Sequence, residues 1–343
     1  MILNKKASRS RAEKLGLREI LGEDWDNWPR PIRQRFRRTA ARFKKYGLKP
    51  KQIAQELCWR EHELMSANYW DARFEIANKN FAVLKILDKI EELAQGKTWR
   101  VESLSRVARF VFDINGLKTI NDLAGHQAGD KLLQRGVKVF QAGATTQWLK
   151  KNFKLEVFPA AEGGDEFSLL VSGKEDLRQM VTNPLTGEKQ ELLQAALENY
   201  WQEIREIKLD DLVDFERAEM REKLDGAAVP KDFKFMATTS GGYGLLSEAW
   251  EKLGGGSGKS GKPDEARIGG LAAEFMDLAD QRMLENKVEF KKFLSQNSDP
   301  RLRFLSMLYQ RSREYWSLAK ENARLKRRLT IYRDIWHKLD KKG

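Results

Sequence analysis

The sequence predicts an α+β fold with helical extensions at both ends of the chain. Two apolar runs around residues 153–171 predict a β-hairpin, and apolar runs at 107–114 and 233–244 predict two further strands. Long amphipathic segments stand between and beyond these strands. The 343 residues are 41% hydrophobic and 33% charged, which suits one large or two ordinary domains with a sizeable core.

The N-terminal region, residues 1–68, is predicted to be a basic helical module. Two helix-like segments flank a break at Tyr46-Gly47, in the manner of a helix-turn-helix. DNA binding and simple helix packing both remain open for this region. Apolar residues at helical spacing then predict one long amphipathic helix over residues 69–94.

The middle of the chain alternates between strands and helices. The run "VARFVFDI" predicts a buried strand over 107–114, and Asn115-Gly116 predicts a turn after it. The helix that follows is expected to break near Gly125 and to resume through residues 130–144.

The segment "EGGDEFSLLV", residues 162–171, predicts a hairpin tip that does more than turn the chain. Gly163 and Gly164 lie between two strand-like runs, 153–158 and 167–171, and allow a sharp turn. Asp165 and Glu166 follow at once as adjacent carboxylates. A purely structural hairpin needs no pair of acids, so this turn indicates chemistry.

The C-terminal half is predicted to be mostly helical. Residues 187–226 form a charged helical segment, which we take as an insertion over about 187–230, and a strand follows at 233–244. Residues 254–262 are predicted to be a Gly/Ser/Lys linker: "LGGGSGKSG" nearly matches a phosphate-binding loop, but Leu253 stands where that loop needs glycine. Helices are then expected over 271–293 and 301–335, the second within a basic C-terminal region, 294–343.

The net charge of +13 belongs to the two ends of the chain. Residues 1–60 carry +11 and residues 301–343 carry +9, so the middle is acidic at −7. Basic ends suit a polyanion or an acidic protein partner, or they form solvated helix surfaces. No apolar run approaches the roughly 20 residues of a membrane span, and the first residues lack a signal-peptide pattern. We therefore expect a cytoplasmic protein without membrane contact.

Three acids are predicted to meet at one edge of the sheet. Asp113 ends one strand, and Asp165 and Glu166 stand at the hairpin, so neighbouring strands would bring them together. Such a cluster is stable when it shares a proton or holds a divalent cation. Because the chain has one cysteine and three histidines, hard carboxylate oxygens point to Mg²⁺ or Mn²⁺ and to nucleotide phosphates.

These motifs together resemble the GGDEF family of diguanylate cyclases. The two dense matches are "FDINGLKTINDLAGHQAGD", residues 112–130, and "EGGDEF"; weaker matches lie at 71–81, 237–244 and 279–292. The resemblance covers residues 69–293, which it marks as the catalytic domain. It implies a polymerase-palm-like α+β fold with a mostly antiparallel central sheet. It also implies a homodimer that condenses two GTP into cyclic di-GMP and releases two pyrophosphates.

The resemblance also implies roles for individual residues. Asp113, the Ile114 carbonyl and Asp165 would hold the metal ions, and Glu166 would join them or help to deprotonate the 3′-hydroxyl. Lys118 would be catalytic at the phosphates. The implied substrate-binding residues are Leu117, Asn121, His126, Asp130, Gly163, Gly164, Lys287 and Lys291; among them Asn121 and Asp130 would bind guanine, His126 would line its pocket, and the two lysines would face phosphates.

Several positions depart from the family pattern. Ala161 stands where the family often has arginine, and Glu162 stands at the usual aromatic position, where we expect it to add negative charge near the metal site. Lys291 replaces the terminal arginine, which keeps the charge but loses the bidentate geometry. Lys154 and Val157 occupy the family's inhibitory R-x-x-D motif, which is therefore absent.

An active cyclase is the interpretation that these residues favour, and three others remain open. They are a degenerate domain that senses GTP or cyclic di-GMP, a nucleic-acid-binding regulator that acts through the basic N-terminus, and a related enzyme that makes another cyclic nucleotide. For the last helix, apolar residues at helical spacing predict either a dimer seam or packing on its own catalytic domain; they are Leu302, Leu305, Leu308, Tyr309, Leu318, Leu325 and Leu329.

Overall fold

A computed structural model describes residues 69–94, 101–213, 228–230, 233–255 and 265–310 of the chain, with side chains from residue 267 in the last range. The expected helix-turn-helix in residues 1–68 lies outside these ranges. Most of the linker expected at 254–262 also lies outside these ranges, as do the predicted dimer-seam positions beyond residue 310. Both predicted basic ends, with their proposed polyanion or acidic partner, therefore fall largely outside the described residues.

Six strands form the central sheet, in the order β1-β2-β4-β5-β3-β8. Two further short strands, β6 and β7, form a separate hairpin. The strands are β1 (Trp70–Asp71), β2 (Ile76–Asn78), β3 (Val107–Asn115), β4 (Glu156–Gly163), β5 (Glu166–Ser172), β6 (Met180–Thr182), β7 (Lys189–Glu191) and β8 (Thr238–Leu245).

Helices cover both faces of the sheet within the described ranges. They are α1 (Lys79–Ala94), α2 (Val101–Leu104), α3 (Leu117–Ala124), α4 (His126–Ala142), α5 (Ala144–Phe153), α6 (Leu192–Arg205), α7 (Leu246–Lys252) and α8 (Glu265–Gln296), followed by α9 over residues 300–310.

The sheet is mixed and mostly antiparallel, which confirms the predicted α+β fold. The pairs β1–β2, β4–β5, β5–β3 and β3–β8 are antiparallel, and β2–β4 is parallel. Strand β3 lies inside the sheet and is buried along its whole length, which explains its mostly apolar sequence.

The two faces of β3 contact different helices. Phe112 stacks on Phe140 of α4 and meets Tyr200 of α6 edge-on, so the even-numbered side chains enter the larger core. Val111 packs instead against Ala279 and Met283 of α8. The odd-numbered face, which includes Asp113, is therefore the face that α8 covers.

Helix α8 crosses the sheet closely because β8 lacks side chains at the crossing. A Cβ placed on Gly242 would lie 2.4 Å from the backbone nitrogen of Met283. A larger residue at this position would push α8 away from the sheet. This close contact fixes the distance between α8 and the sheet. It thereby positions the α8 side chains near the end of β3, including that of Lys287.

Several element boundaries differ from the prediction. The helix predicted over 69–94 begins only at Lys79, because β1 and β2 precede it and Asn78 Oδ1 accepts a hydrogen bond from the Phe81 amide at 3.3 Å, as a helix cap does. The strand predicted from residue 153 begins at Glu156, since α5 ends at Phe153.

The charged segment at 187–226 was predicted to be one helix, and this was wrong. It opens with strand β7 and continues as α6, and residues 206–213 are not helical. Strand β8 begins at Thr238 rather than 233, and α8 is longer than the expected 271–293.

The first part of the C-terminal helix packs on its own domain. Phe304, Leu305 and Leu308 of α9 are buried in the core that also holds the sheet and α4. The expected domain boundary at residue 293 falls inside α8, and Leu294 joins the same core. Over residues 300–310 the structure therefore favours packing on the chain's own domain over a dimer seam.

None of the helices in the described ranges has the length and apolar character needed to cross a lipid bilayer.

Candidate active site

The predicted acidic residues lie together at the ends of β3 and β5. Asp113 is paired in register with Glu166 on the neighbouring antiparallel strand, so their side chains point to the same face. The Ile114 amide donates a hydrogen bond to the Asp165 carbonyl at 3.0 Å, which fixes the hairpin tip against β3. Strands β3 and β5 are thus neighbours, as the prediction of an acidic edge required.

Burial and mutual repulsion perturb this cluster. Burial and then the negative charge of Asp113 raise the pKa of Asp165, while Lys287 acts in the opposite direction. The pKa of Glu166 is raised by burial and by the charges of Asp113, Asp165 and Asp280. The site therefore favours a bound proton or cation.

Lys287 of α8 supplies a positive charge at this edge. Its Nζ lies 2.5 Å from Asp113 Oδ2, and the Asp113 side chain is only 4% exposed. Among the described residues, no three acidic, histidine or cysteine side chains are arranged as a ready metal site. Because Lys287 is this close to Asp113, its ammonium group supplies part of the positive charge that a bound metal ion would supply.

A cavity of about 500 Å³ opens beside the acidic cluster. Its wall contains acids, lysines and backbone from the ends of β3, β5 and α8. Seven residues singled out from the sequence line it: Asp113, Ile114, Leu117, Lys118, Asp165, Lys287 and Lys291. Two carboxylates and three lysines around one cavity form a site suited to a polyphosphate with a divalent cation.

The turn after β3 brings the start of α3 to the cavity. Gly116 precedes α3 with φ of 80°, a left-handed conformation that glycine adopts without strain. Leu117 and Lys118 follow as the first helical residues and line the cavity. Their backbone amides stand at the N-terminus of α3, where the helix dipole favours anions.

The other predicted site residues lie outside the lining of this cavity. Asn121 is in α3, and its Oδ1 is buried without a hydrogen-bond partner among the described residues. The space for that atom comes from Gly129 of α4, where an added Cβ would lie 2.0 Å from it. His126 and Asp130 are exposed on α4. Glu166 is exposed, as are Gly163 and Gly164, which form the hairpin turn.

The structure corrects the expectation for Glu162. A register irregularity in β4 falls between Ala161 and Gly163, and such a bulge redirects the side chain at that point. Glu162 Oε1 accepts hydrogen bonds from Arg109 at 3.0 Å and from Ser168 at 2.5 Å. Its charge is neutralised inside the protein and is not added to the metal-facing edge.

Eight cavity residues were not identified from the sequence as site residues, and three of them lie in α9. Ser306, Tyr309 and Gln310 of α9 form part of the wall. Tyr309 was noted only as an apolar position of a helix. No local motif marks these residues, because they reach the site through the turn between α8 and α9.

Comparison with known proteins agrees with the sequence motifs. Residues 88–205 match the family model described as diguanylate cyclase, GGDEF domain. A protein of Streptomyces griseus, described as an uncharacterised protein in the hutH 5′ region, is 43% identical over 68 residues, or 20% of this chain. The chain thus spans about a quarter of the length of that curated relative.

Three solved structures illustrate the similarity. The coiled coil and GGDEF domain of DgcB from Caulobacter crescentus, in complex with c-di-GMP, is 16% identical, with a TM-score of 0.40 over 73% of this chain and 94% of that one. Diguanylate cyclase SiaD from Pseudomonas aeruginosa, in complex with its activator SiaC, is 14% identical, with a TM-score of 0.37 over 84% and 78%. A sensory box/GGDEF family protein from Caulobacter crescentus CB15 is 18% identical, with a TM-score of 0.34 over 64% and 97%.

Proposed function

We propose that this protein is a diguanylate cyclase that condenses two GTP into cyclic di-GMP, and the match of residues 88–205 to the GGDEF-domain family model supports this. The observation that carries the proposal is the cavity in which the carboxylates of Asp113 and Asp165 meet Lys118, Lys287 and Lys291. That arrangement is chemically suited to a nucleotide triphosphate. In each half of the reaction a 3′-oxygen bonds to the α-phosphorus of the other GTP, and pyrophosphate leaves.

The acidic edge fits a divalent cation. Asp113, the Ile114 carbonyl and Asp165 would hold it, with Glu166 beside them. Burial first, and then the negative charge of neighbouring carboxylates such as Asp113, raise the pKa of Asp165 and Glu166, and a cation would relieve that repulsion. When bound, Mg²⁺ or Mn²⁺ neutralises charge on the α-phosphate and lowers the pKa of the 3′-hydroxyl.

The lysines are proposed to hold the phosphates. Lys118 and Lys291 line the cavity from opposite sides, one at the start of α3 and the other on α8. Lys287 would exchange its contact with Asp113 for a phosphate oxygen when the substrate and its cation arrive. Ammonium groups are point charges without the paired geometry of arginine, so they tolerate movement of the phosphates during pyrophosphate release.

The crossing of α3 and α4 is proposed to bind guanine. The unpartnered Oδ1 of Asn121 is an acceptor, and Asp130 supplies a second one on α4. Guanine presents N1–H and an N2 amino group to such acceptors, and adenine has neither donor. His126 would stand at the edge of this pocket. Leu117, Gly163 and Gly164 would shape the approach of the substrate between the two regions.

Each domain would hold one GTP, so the reaction needs two copies of the chain facing each other. Glu166 is exposed beside the acidic edge and would help to deprotonate the 3′-hydroxyl of the opposing substrate. Its raised pKa suits proton transfer near neutral pH better than an ordinary glutamate would.

The test is release of pyrophosphate by the full chain with GTP or ATP and Mg²⁺ or Mn²⁺. We expect release from GTP at a rate that rises more steeply than protein concentration, since two loaded domains must meet. GTP binding without any release of pyrophosphate would instead identify a sensor domain.

A further inference from the structure

We propose that helix α9 is part of the nucleotide site: Ser306 and Gln310 contact the phosphate end of the bound nucleotide, and Tyr309 positions the turn at Gly116 beneath it. The inference rests on the proposed function for the identity of the nucleotide. It concerns residues outside the motifs at 112–130 and 162–167.

The course of the chain brings α9 to the cavity. Lys287 of α8 is level with Asp113 at the end of β3, and α8 continues past the sheet so that Lys291 lines the cavity. The chain then reverses at Asp299, whose Oδ1 accepts a hydrogen bond from the Arg301 amide at 2.8 Å. Helix α9 returns along the open side and contributes to the cavity wall.

The helix is anchored to the domain core. Phe304, Leu305 and Leu308 are at most 6% exposed, and the ring centroids of Phe304 and Phe233 are 4.8 Å apart. Burial of three large apolar side chains stabilises this position. The domain core therefore holds this part of the cavity wall in place.

Tyr309 packs directly on the turn that begins α3. A Cβ added to Gly116 would lie 2.6 Å from Tyr309 Cε1, so the ring fits only against glycine. The Tyr309 hydroxyl lies 3.3 Å from Thr238 Oγ1, and burial raises the pKa of Tyr309 to about 12. The phenol thus stays neutral and adds no negative charge beside the phosphates. Loss of the ring would leave a void under the turn.

The chemistry of the neighbouring groups shows which end of the nucleotide faces α9. Acids and lysines line the same cavity, whereas Asn121 and Asp130 lie outside it. The cavity is therefore the phosphate end, and α9 closes it. A serine hydroxyl and a glutamine amide can donate hydrogen bonds to phosphate oxygens without adding charge.

Binding of 3′-deoxy-GTP tests this role, because the analogue lacks the attacking hydroxyl and cannot react. Calorimetry on the full chain with Mg²⁺ should show about 10-fold weaker binding for Tyr309→Ala and about 5-fold weaker binding for Gln310→Ala. Tyr309→Phe should stay within about twofold of the parent protein, since the ring is retained. Phe153→Ala is the control: it removes a ring packed on Trp148 in α5, away from the cavity.

The outcomes separate this inference from the proposed reaction. If both α9 alanine variants bind as the parent does, α9 is not part of the site. Tighter binding or faster turnover would also overturn the inference and make α9 an inhibitory cover. Absence of binding by the parent protein would remove both proposals. If the variants bind more weakly and the parent protein makes no cyclic di-GMP, the proposed cyclase activity is wrong and the role of α9 in nucleotide binding is supported. If Tyr309→Ala does not fold, Gln310→Ala and Ser306→Ala decide.

Discussion

Arg109 and Glu162 form a buried ion pair in which Arg109 Nη2 donates to Glu162 Oε1 at 3.0 Å, and neither side chain is more than 3% exposed. Arg109 also donates through Nη1 to the Met276 carbonyl and to Asp280 of α8. The acid at the usual aromatic position of the family is therefore neutralised by Arg109 of β3, which α8 holds in place through Met276 and Asp280. Glu162 gives no structural support to a degenerate site.

Loss of one partner of this pair should be costly. We expect Glu162→Ala to lower the free energy of unfolding by about 1–3 kcal/mol, because Arg109 Nη2 would lose its buried acceptor while Nη1 keeps its ion pair with Asp280. Urea unfolding of the full chain measures the change. The double variant Arg109→Leu/Glu162→Leu should recover most of the loss, since an apolar pair fills the same space. A double variant less stable than both single variants would contradict this account.

Asp165→Asn should abolish turnover and leave the fold intact. Burial and then repulsion by neighbouring acids raise the pKa of Asp165 and Glu166, and Asp165→Asn removes a charge that is both buried and repelled, so we expect an unchanged or higher melting temperature without metal. Asp113→Asn is the informative comparison, because it also removes the contact with Lys287 and should not be stabilising. Wild-type rates of cyclic di-GMP synthesis in the Asp165 variant would exclude this site assignment.

Stabilisation by Mg²⁺ should depend on pH in a defined direction. The folded protein raises the pKa of Asp165 and Glu166 above their ordinary values of 3.8 and 4.5, so it binds protons more tightly than the unfolded chain. Without metal, the stability that these two carboxyl groups contribute to the folded protein is fully present below their ordinary pKa values. It is lost as pH rises through their raised pKa values in the folded state. Because the cation binds the deprotonated carboxylates, the Mg²⁺-induced rise in melting temperature should grow with pH and vanish near pH 4. A shift independent of pH would place the metal elsewhere.

Asn121→Ala should weaken the preference for GTP over ATP. Asn121 Oδ1 is buried and has no hydrogen-bond partner among the described residues. In the proposed pocket adenine would leave this atom unsatisfied, because it lacks the N1–H and N2 amino donors of guanine. We expect the parent protein to favour GTP by about 100-fold or more in kcat/KM, and the variant to lose most of that ratio. Equal use of both nucleotides by the parent would rule out this guanine pocket.

The sequence predicted the elements whose patterns are local. Strand β3 is buried on both faces, and its mostly apolar sequence predicted a buried strand. Gly163 and Gly164 predicted the turn of the hairpin that β4 and β5 form. Strands β1 and β2 were missed because two or three residues are too few to show a period. The helix predicted over 187–226 came from charged residues with high helix propensity, which the β6–β7 hairpin overrides.

The parts of the site that the sequence missed depend on distant partners. Glu162 is paired with Arg109, 53 residues earlier in the chain, and no neighbouring residue indicates that pairing. Tyr309 reaches Gly116 only because α8 extends past the sheet and α9 returns. The residues at the ends of β3 and β5 could be found because the motif itself sets their spacing.

The most direct test of the central claim is the mass of the product that the purified full chain makes from GTP with Mg²⁺ or Mn²⁺. The account predicts a product with the mass of cyclic di-GMP and two pyrophosphates for each molecule formed, both absent with Asp165→Asn. Intact GTP after prolonged incubation, at protein concentrations that allow two copies to meet, would contradict it, and so would a cyclic product of different mass.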